Sequence, residues 1–254
     1  MNADSVHARL LKEARKIGED FQITLIRYLI ERFLWRLACS PHRDRYILKG
    51  AMLFRLWEGL PYRTTMDLDL LRSEAMEAEL LQKEMQAICA VKVEPDAVRF
   101  EPESVMVEPI RASEEYQGQR VLLTGFLGKS RTRLQIDIGM GDAPWPLPVT
   151  GEFSVLLGLP PLRITAYRRE SVIAEKLEAM AVLGLSNSRI KDFFDIHHLA
   201  VRYAFEGRIL AEPVTMNRYC SPVESKIPLR AFFHFGTLWI SSKQTQGGCR
   251  VEPG

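Results

Sequence analysis

An Asp-x-Asp pair inside an apolar, alternating stretch is the feature that most constrains what this chain can fold into. Asp67 and Asp69 alternate with Met66, Leu68 and Leu70. Because alternate residues of a β-strand point to the same face, both carboxylates are expected on one face of a predicted strand. Two carboxylates so placed offer the oxygen ligands that Mg²⁺ prefers. A solvated strand edge is the alternative that the pair alone leaves open.

The segment before this pair predicts a phosphate-binding turn. Residues 46–51 read as a strand that breaks at Gly50 into a helix over Met52–Trp57. The N–H groups of a first helical turn, and those of a glycine turn, can face phosphate. A metal beside such a turn points to nucleotide chemistry.

A third carboxylate, Asp137, follows in a second amphipathic stretch, residues 133–139. Leu134, Ile136 and Ile138 form one face of the predicted strand, and Gln135 and Asp137 form the other. Three carboxylates on two neighbouring strands would suit phosphoryl or nucleotidyl transfer with two metal ions. A single exposed aspartate on a surface strand is the alternative. Asp142, just beyond, is interpreted as a turn residue.

Two later segments, residues 171–180 and 188–199, predict amphipathic helices. In the first, Ser171 is a candidate cap and Lys176 lies at the edge of the apolar stripe. In the second, Asp192 and Asp195 are one turn apart on a shared face, and the residues expected to pack inward are Phe193, Ile196 and Leu199. A lysine for phosphate positioned by an aspartate is the functional interpretation, and an ordinary surface ion pair is the alternative.

Five blocks of this sequence together resemble, in order and spacing, the nucleotidyltransferase toxins of the AbiEii/AbiGii family. The likeness covers residues from about 6 to 205 and includes two leading helical segments. The blocks are Leu48–Ala51, Arg63–Asp69, Ile136–Ile138, Ala174–Ala179 and Lys191–Asp195.

The resemblance implies an α+β, DNA-polymerase-β-like nucleotidyltransferase fold, with a mixed sheet, flanking helices and a helical C-terminal half. It also implies the toxin of a toxin–antitoxin or phage-defence system. Such a toxin would transfer a nucleotide from NTP, with Mg²⁺, to an acceptor, which is RNA and in some members the 3′ end of tRNA. An antitoxin protein is then the expected partner.

Carried onto this chain residue by residue, the resemblance assigns three sets of site residues. The catalytic set is Asp67, Asp69, Lys176 and Asp192, and the metal ligands are Asp67, Asp69 and Asp137. The expected nucleotide-binding residues are Lys49, Gly50, Ala51, Arg55, Thr65 and Asp195. Ala51 stands where the family often has Gly or Ser, so backbone N–H groups would have to contact phosphate there.

Composition agrees with a globular enzyme and excludes several other classes. The 254 residues are 46% hydrophobic and 26% charged, with a net charge of +2 that is too small to indicate nucleic-acid binding by itself. Local basic clusters, such as that of Lys129, Arg131 and Arg133, could hold RNA phosphates or could serve solubility alone. No apolar stretch is long enough for a membrane span and no leader is evident, so a cytoplasmic protein is expected.

The four cysteines and five histidines form no metal-binding pattern, so neither zinc nor a structural disulfide is expected. At most one of His197 and His198 could face a site. Three regions are predicted: residues 1–145 with the N-terminal helices and sheet, residues 146–210 with the later motifs, and an atypical tail, 211–254, that is disordered or replaced. A catalytically impaired module that binds nucleotide or antitoxin is the alternative function.

Overall fold

The computed structural model describes residues 1–58, 64–110, 118–141, 144–183 and 190–205. The predicted tail at 211–254, the predicted turn residue Asp142 and Arg63 of the second sequence block lie outside these ranges. Among the described residues, no helix is both long enough and apolar enough to cross a membrane.

Two helices begin the chain, close to the bounds that the sequence predicts. Helix α1 spans Ala3–Ile17 and α2 spans Phe21–Cys39. Asn2 and Asp20 cap them, because their side chains accept hydrogen bonds from the backbone N–H groups of Asp4 and Gln22. Helix α2 is buried along most of its length and packs against the sheet.

The remaining elements alternate between strands and helices. Their bounds are β1 Tyr46–Lys49, α3 Met52–Glu58, β2 Asp67–Arg72, α4 Ala78–Cys89, β3 Val98–Pro109, β4 Gly118–Leu127 and β5 Ser130–Met140. They continue with β6 Val149–Phe153, β7 Leu162–Ala166, α5 Arg169–Leu183 and α6 Ile190–Arg202.

Within the described residues, seven strands form one sheet in the order β3-β4-β5-β2-β1-β7-β6. The β2–β5 and β1–β7 pairs are parallel and the others are antiparallel. The predicted α+β class, with a mixed sheet and flanking helices, is confirmed. Strand β6 was not predicted. Because β7 pairs with β1, the boundary expected at residue 145 falls inside this sheet.

The two faces of the central strands differ in polarity, as period-two alternation requires. Leu134, Ile136 and Ile138 of β5 are buried in the core together with Leu68 and Leu70 of β2. The opposite face carries the polar residues of the same strands. All three carboxylates expected from the sequence therefore lie on the face that is turned away from this core.

Three local predictions were wrong. The sequence predicts a helix over Ser73–Ala90, but α4 begins at Ala78. Ser171 does not cap α5, which begins at Arg169; its hydroxyl instead donates to the backbone carbonyls of Trp145 and Pro146 at 3.2 and 3.3 Å. Phe193 does not pack inward.

Helix α6 turns a charged face toward the interior. Asp192, Asp195 and Leu199 are its buried residues, and the Phe193 side chain is 53% exposed. Successive residues of a helix point about 100° apart, so burying Asp192 rotates Phe193 away from the core. The charged face lies inside because Asp192 and Asp195 pair with Lys176 of α5.

Candidate active site

The strand register brings the three predicted carboxylates together. Asp69 on β2 is the Cα partner of Asp137 on β5, and Asp67 is the partner of Gln135. On the other side, Lys49 of β1 is the partner of Asp69. The predicted shared face of Asp67 and Asp69 is thus observed, with Asp137 on one side of Asp69 and Lys49 on the other.

Burial and nearby negative charges raise the pKa of the Asp67 and Asp69 carboxyls on β2. Burial is the largest cause at Asp69 and, with the nearby charges of Asp137, Glu175 and Asp67 and against the opposing effect of Lys49, raises its pKa to about 6. At the more exposed Asp67, loss of hydration and then Asp137 raise the pKa, while Arg120 and Lys191 lower it. Carboxylates that destabilise one another in this way fit a bound cation, which would offset their charge.

The structure does not complete a three-ligand metal group. Among the described residues, no set of three His, Cys, Asp or Glu side chains is placed to hold an ion. Both oxygens of Asp137 are engaged: the Nε and Nη2 atoms of Arg120 donate to them at 2.8 and 2.9 Å, and Gln135 donates at 3.2 and 3.3 Å. Asp137 lies beside Asp69 as expected, but its oxygens bind a guanidinium.

Gly50 makes room for the Asp69 carboxylate. Its φ is +70°, and a Cβ atom built on it would lie 2.6 Å from Cγ and 2.7 Å from Cβ of Asp69. Only glycine combines that backbone angle with so close an approach. The turn continues through Ala51, whose carbonyl accepts a hydrogen bond from the backbone N–H of Phe54 at 3.3 Å.

Lys49, at the end of β1, contacts helix α5. Its Nζ lies 2.5 Å from Oε1 of Glu175 and 5.9 Å from the centre of the Tyr167 ring. Glu175 was part of a sequence block but was given no role. Its position directly before Lys176 could have indicated a role in the site, because neighbouring residues of a helix point in different directions and can contact different partners.

Lys176 is held by both aspartates of α6. Its Nζ lies 2.6 Å from Oδ1 of Asp192 and 2.9 Å from Oδ2 of Asp195. The Asp195 side chain is 0% exposed and pairs with Lys176, so its expected contact with nucleotide stays a prediction. The buried Asp195 orients Lys176, whereas the Asp192 side chain keeps some exposed surface.

Two other expected nucleotide-binding residues serve the fold. Arg55 is buried, with its Nε 3.2 Å from Oε1 of the fully buried Glu31 and within 3.4 Å of the Ser154 carbonyl oxygen. A guanidinium so engaged serves the fold as an ion-pair partner, and the nucleotide role of Arg55 stays a prediction. Thr65 donates its hydroxyl to the backbone carbonyl of Asp67 at 3.2 Å and so supports the start of β2.

The histidine pair does not enter the cluster. His198 contacts Glu58 at 2.6 Å and stacks edgewise on Phe54, which ties α6 to α3. His197 is exposed. The contact with Glu58 gives His198 a structural role between the two helices.

Several solved structures are similar to this chain. A protein of H. pylori assigned as a nucleotidyltransferase is 22% identical, with a TM-score of 0.46, over 72% of this chain and 69% of its own. ANT(2'')-Ia in complex with adenylyl-2''-tobramycin is 17% identical, with a TM-score of 0.45, over 79% and 99%. An antigenic nucleotidyltransferase-like protein of Paracoccidioides brasiliensis is 14% identical, with a TM-score of 0.41, over 82% and 96%. With TM-scores below 0.5, these likenesses support no statement about the activity of this chain.

No curated protein sequence matches this one significantly. The family model described as nucleotidyl transferase AbiEii toxin, type IV TA system, matches residues 32–221. That range includes β1 with Gly50, the Asp67–Asp69 strand, Asp137, and both Lys176 and Asp192. The match spans well over half of the chain and agrees with the resemblance drawn from the five blocks. The chain therefore belongs to the AbiEii family of nucleotidyl transferase toxins, the toxins of type IV toxin–antitoxin systems.

Proposed function

We propose that this nucleotidyltransferase uses Asp67 and Asp69 to bind Mg²⁺ and transfers a nucleotidyl group from NTP to RNA. The observation that carries the proposal is the strand register, which places Asp67 and Asp69 on one face of β2 with Asp69 beside Asp137 of β5. Carboxylate oxygens grouped in this way are ligands that a divalent cation prefers. Family membership supplies the reaction class and implies a nucleotide substrate and an antitoxin partner.

In the proposed reaction, the acceptor hydroxyl oxygen forms a bond to the α-phosphorus of NTP. The bond from that phosphorus to the bridging oxygen breaks, pyrophosphate leaves, and the hydroxyl proton passes to water. Bound Mg²⁺ would neutralise phosphate charge and make the hydroxyl a better nucleophile. The third expected ligand, Asp137, stays a prediction, because Arg120 and Gln135 bind its oxygens.

Two lysines, Lys49 and Lys176, are suited to bind the triphosphate. Lys49 lies between Asp69 and Glu175, and Lys176 is aimed by Asp192 and Asp195. A fixed lysine acts on phosphate as a point charge, and its partners keep it in place before substrate arrives. Gly50 and Ala51 contribute backbone to the adjacent turn, where no side-chain hydroxyl is present.

The proposal also includes the acceptor of the nucleotidyl group and the cellular location of the reaction. An RNA acceptor, the 3′ end of tRNA among the candidates, follows from the resemblance and from the basic residues near the cluster. A cytoplasmic reaction is proposed with it, since NTP and RNA are both available there.

A labelling experiment tests the reaction class and the acceptor together. Protein is incubated with total tRNA and each NTP in turn, labelled at the α- or the γ-phosphate, with Mg²⁺ or with EDTA. We expect RNA to acquire the α-label only, and only with Mg²⁺. Transfer of the γ-label would indicate a phosphoryl transfer, and label in neither form would refute RNA as the acceptor.

A further inference from the structure

A line of arginines on the polar face of β4 and β5 leads away from the carboxylate cluster. Arg120 faces Asp137 across the two strands, Arg133 faces Thr124, and Arg131 faces Phe126. Alternate residues of a strand share a face, so Arg131 and Arg133 project from the same side of the sheet as Asp137. The sequence indicated Arg131 and Arg133 only as part of a basic cluster that could hold RNA phosphates, and it did not single out Arg120.

These arginines lie on the opposite side of the carboxylates from Lys49. In the sheet order β4-β5-β2-β1, Asp67 and Asp69 stand on β2, Lys49 stands on β1, and Arg120 stands on β4. The attacking and leaving oxygens of a phosphorus are roughly in line during transfer. With the triphosphate held on the lysine side, the acceptor must approach from the arginine side.

Two hydrogen bonds to Asp137 orient the Arg120 side chain and leave other N–H groups of its guanidinium for a ligand. Its Nε and Nη2 atoms bind Asp137, its side chain is 34% exposed, and a guanidinium carries five N–H donors in all. Asp137, Asp67 and Glu108 surround it with negative charge. This charge reduces the net attraction that Arg120 offers to a phosphate, so its main contribution is fixed direction.

Arg131 and Arg133 offer charge that is less compensated. Both side chains are exposed, and in the part of the chain that the structure describes neither forms an ion pair. Two residues apart on one strand, their Cα atoms are about 6.6 Å from each other. On the neighbouring strand β3, the Arg99 guanidinium stacks 4.0 Å above the Phe126 ring and lies 3.9 Å from Glu101, so its charge is partly compensated.

We propose that this arginine face, formed by Arg120, Arg133 and Arg131, is the subsite for the phosphodiester backbone of the RNA acceptor. Arg120, positioned by Asp137, contacts the phosphate nearest the reacting hydroxyl, and Arg133 and Arg131 contact the following phosphates. The inference rests on the proposed RNA acceptor and adds where that acceptor binds and by which groups. Phosphate contacts of this kind position a strand without reading its sequence.

Fluorescence anisotropy with labelled total tRNA, in the absence of NTP, tests the subsite. The double variant Arg131→Glu/Arg133→Glu should weaken tRNA binding at least tenfold at about 0.1 M salt, because each reversal removes an attraction and adds a repulsion. The dependence of affinity on salt should also become shallower, by about one to two in the logarithmic slope. Arg120→Ala should weaken tRNA binding to a smaller extent.

Arg43→Glu is the matched control. Arg43 is an exposed arginine that precedes the start of β1, whereas Lys49 marks the end of that strand at the site. We expect its tRNA affinity to stay within about twofold of wild type. Thermal melting of each variant establishes that the fold is retained.

Equal loss in the Arg43 variant, or wild-type affinity in the double variant, would overturn the subsite. Absence of saturable tRNA binding by the wild-type protein would also overturn it and would favour a protein as the partner of this face. Arg120→Ala that weakens NTP binding but not tRNA binding would move Arg120 to the nucleotide side and contradict the assignment. RNA that binds through this face without any transfer would support the subsite and refute only the proposed reaction.

Discussion

Gly50 lies directly against the carboxylate of Asp69, at a φ of +70° and with no space for a Cβ atom between them. Gly50→Ala should therefore displace Asp69 or the turn and abolish nucleotidyl transfer. Gly18→Ala is the matched control, because Gly18 has a φ of +68° and no atom within 4 Å of a built Cβ. The control should lose about 1 kcal/mol of unfolding free energy from backbone strain and keep full activity. An active Gly50→Ala enzyme would show that this close approach is not needed.

The raised pKa of Asp69, about 6 against an ordinary value of 3.8, predicts a pH-dependent stability. The folded protein binds the proton more tightly than the unfolded chain, so the stabilisation is complete below the unfolded pKa and is lost as pH rises through about 6. Asp69→Asn cannot ionise. In EDTA at pH 7.5 it should be more stable than wild type by about 1–3 kcal/mol.

Urea unfolding between pH 4 and 7.5 measures this difference. The wild-type and Asp69→Asn curves should converge at the acid end and separate as pH rises. Addition of Mg²⁺ should stabilise wild type and leave the variant unchanged. Parallel curves across the whole range would mean that Asp69 titrates normally in the folded protein.

Lys176 neutralises two aspartates, one of them completely buried, so its removal should affect stability as well as activity. Lys176→Met should lower the unfolding free energy by about 2–4 kcal/mol and reduce NTP-dependent transfer by a similar amount in transition-state free energy. Lys176→Met/Asp195→Asn should recover part of the stability and none of the activity. Lys12→Met, at an exposed position of α1, is the control and should change neither.

Melting curves and transfer rates of these variants distinguish a structural lysine from a phosphate-binding one. If the double variant regains activity along with stability, Lys176 serves only the packing of α5 on α6.

Arg55 and Glu31 form a buried ion pair that the sequence did not indicate. Burial raises the pKa of the Glu31 carboxyl, which Arg55 opposes. Arg55→Met leaves that carboxyl with less compensation and should cost about 3–5 kcal/mol of unfolding free energy. Arg55→Met/Glu31→Gln should restore much of this loss in a double-mutant cycle. Additive losses in the cycle would show that the two residues do not stabilise one another.

The parts of the site that follow from strand period were predictable from the sequence. Alternation alone places Asp67 with Asp69 and separates Asp137 from Ile136. The contacts of Arg120 and Glu175 were not predictable, because they depend on cross-strand register and on how α5 packs against β1. Those relationships join residues that are distant in the chain, and no local pattern specifies them.

The errors have physical causes of the same kind. Phe193 was expected inside because an aromatic side chain is usually buried, but pairing of Lys176 with Asp192 and Asp195 fixes the rotation of α6. Strand β6 is short and mostly exposed, and it follows a proline-rich segment, so neither periodicity nor propensity marks it. Its partner β7 supplies the hydrogen bonds that make it a strand.

The central claim is that Asp67 and Asp69 carry Mg²⁺-dependent nucleotidyl transfer to RNA. Its most direct test is the transfer of α-labelled NTP to tRNA by wild type, Asp67→Asn and Asp69→Asn side by side, with melting curves to establish folding. The account predicts that wild type labels RNA with Mg²⁺ and that each folded variant loses at least about a thousandfold in rate, roughly 4 kcal/mol of transition-state stabilisation. Labelling by either folded variant at the wild-type rate would contradict it.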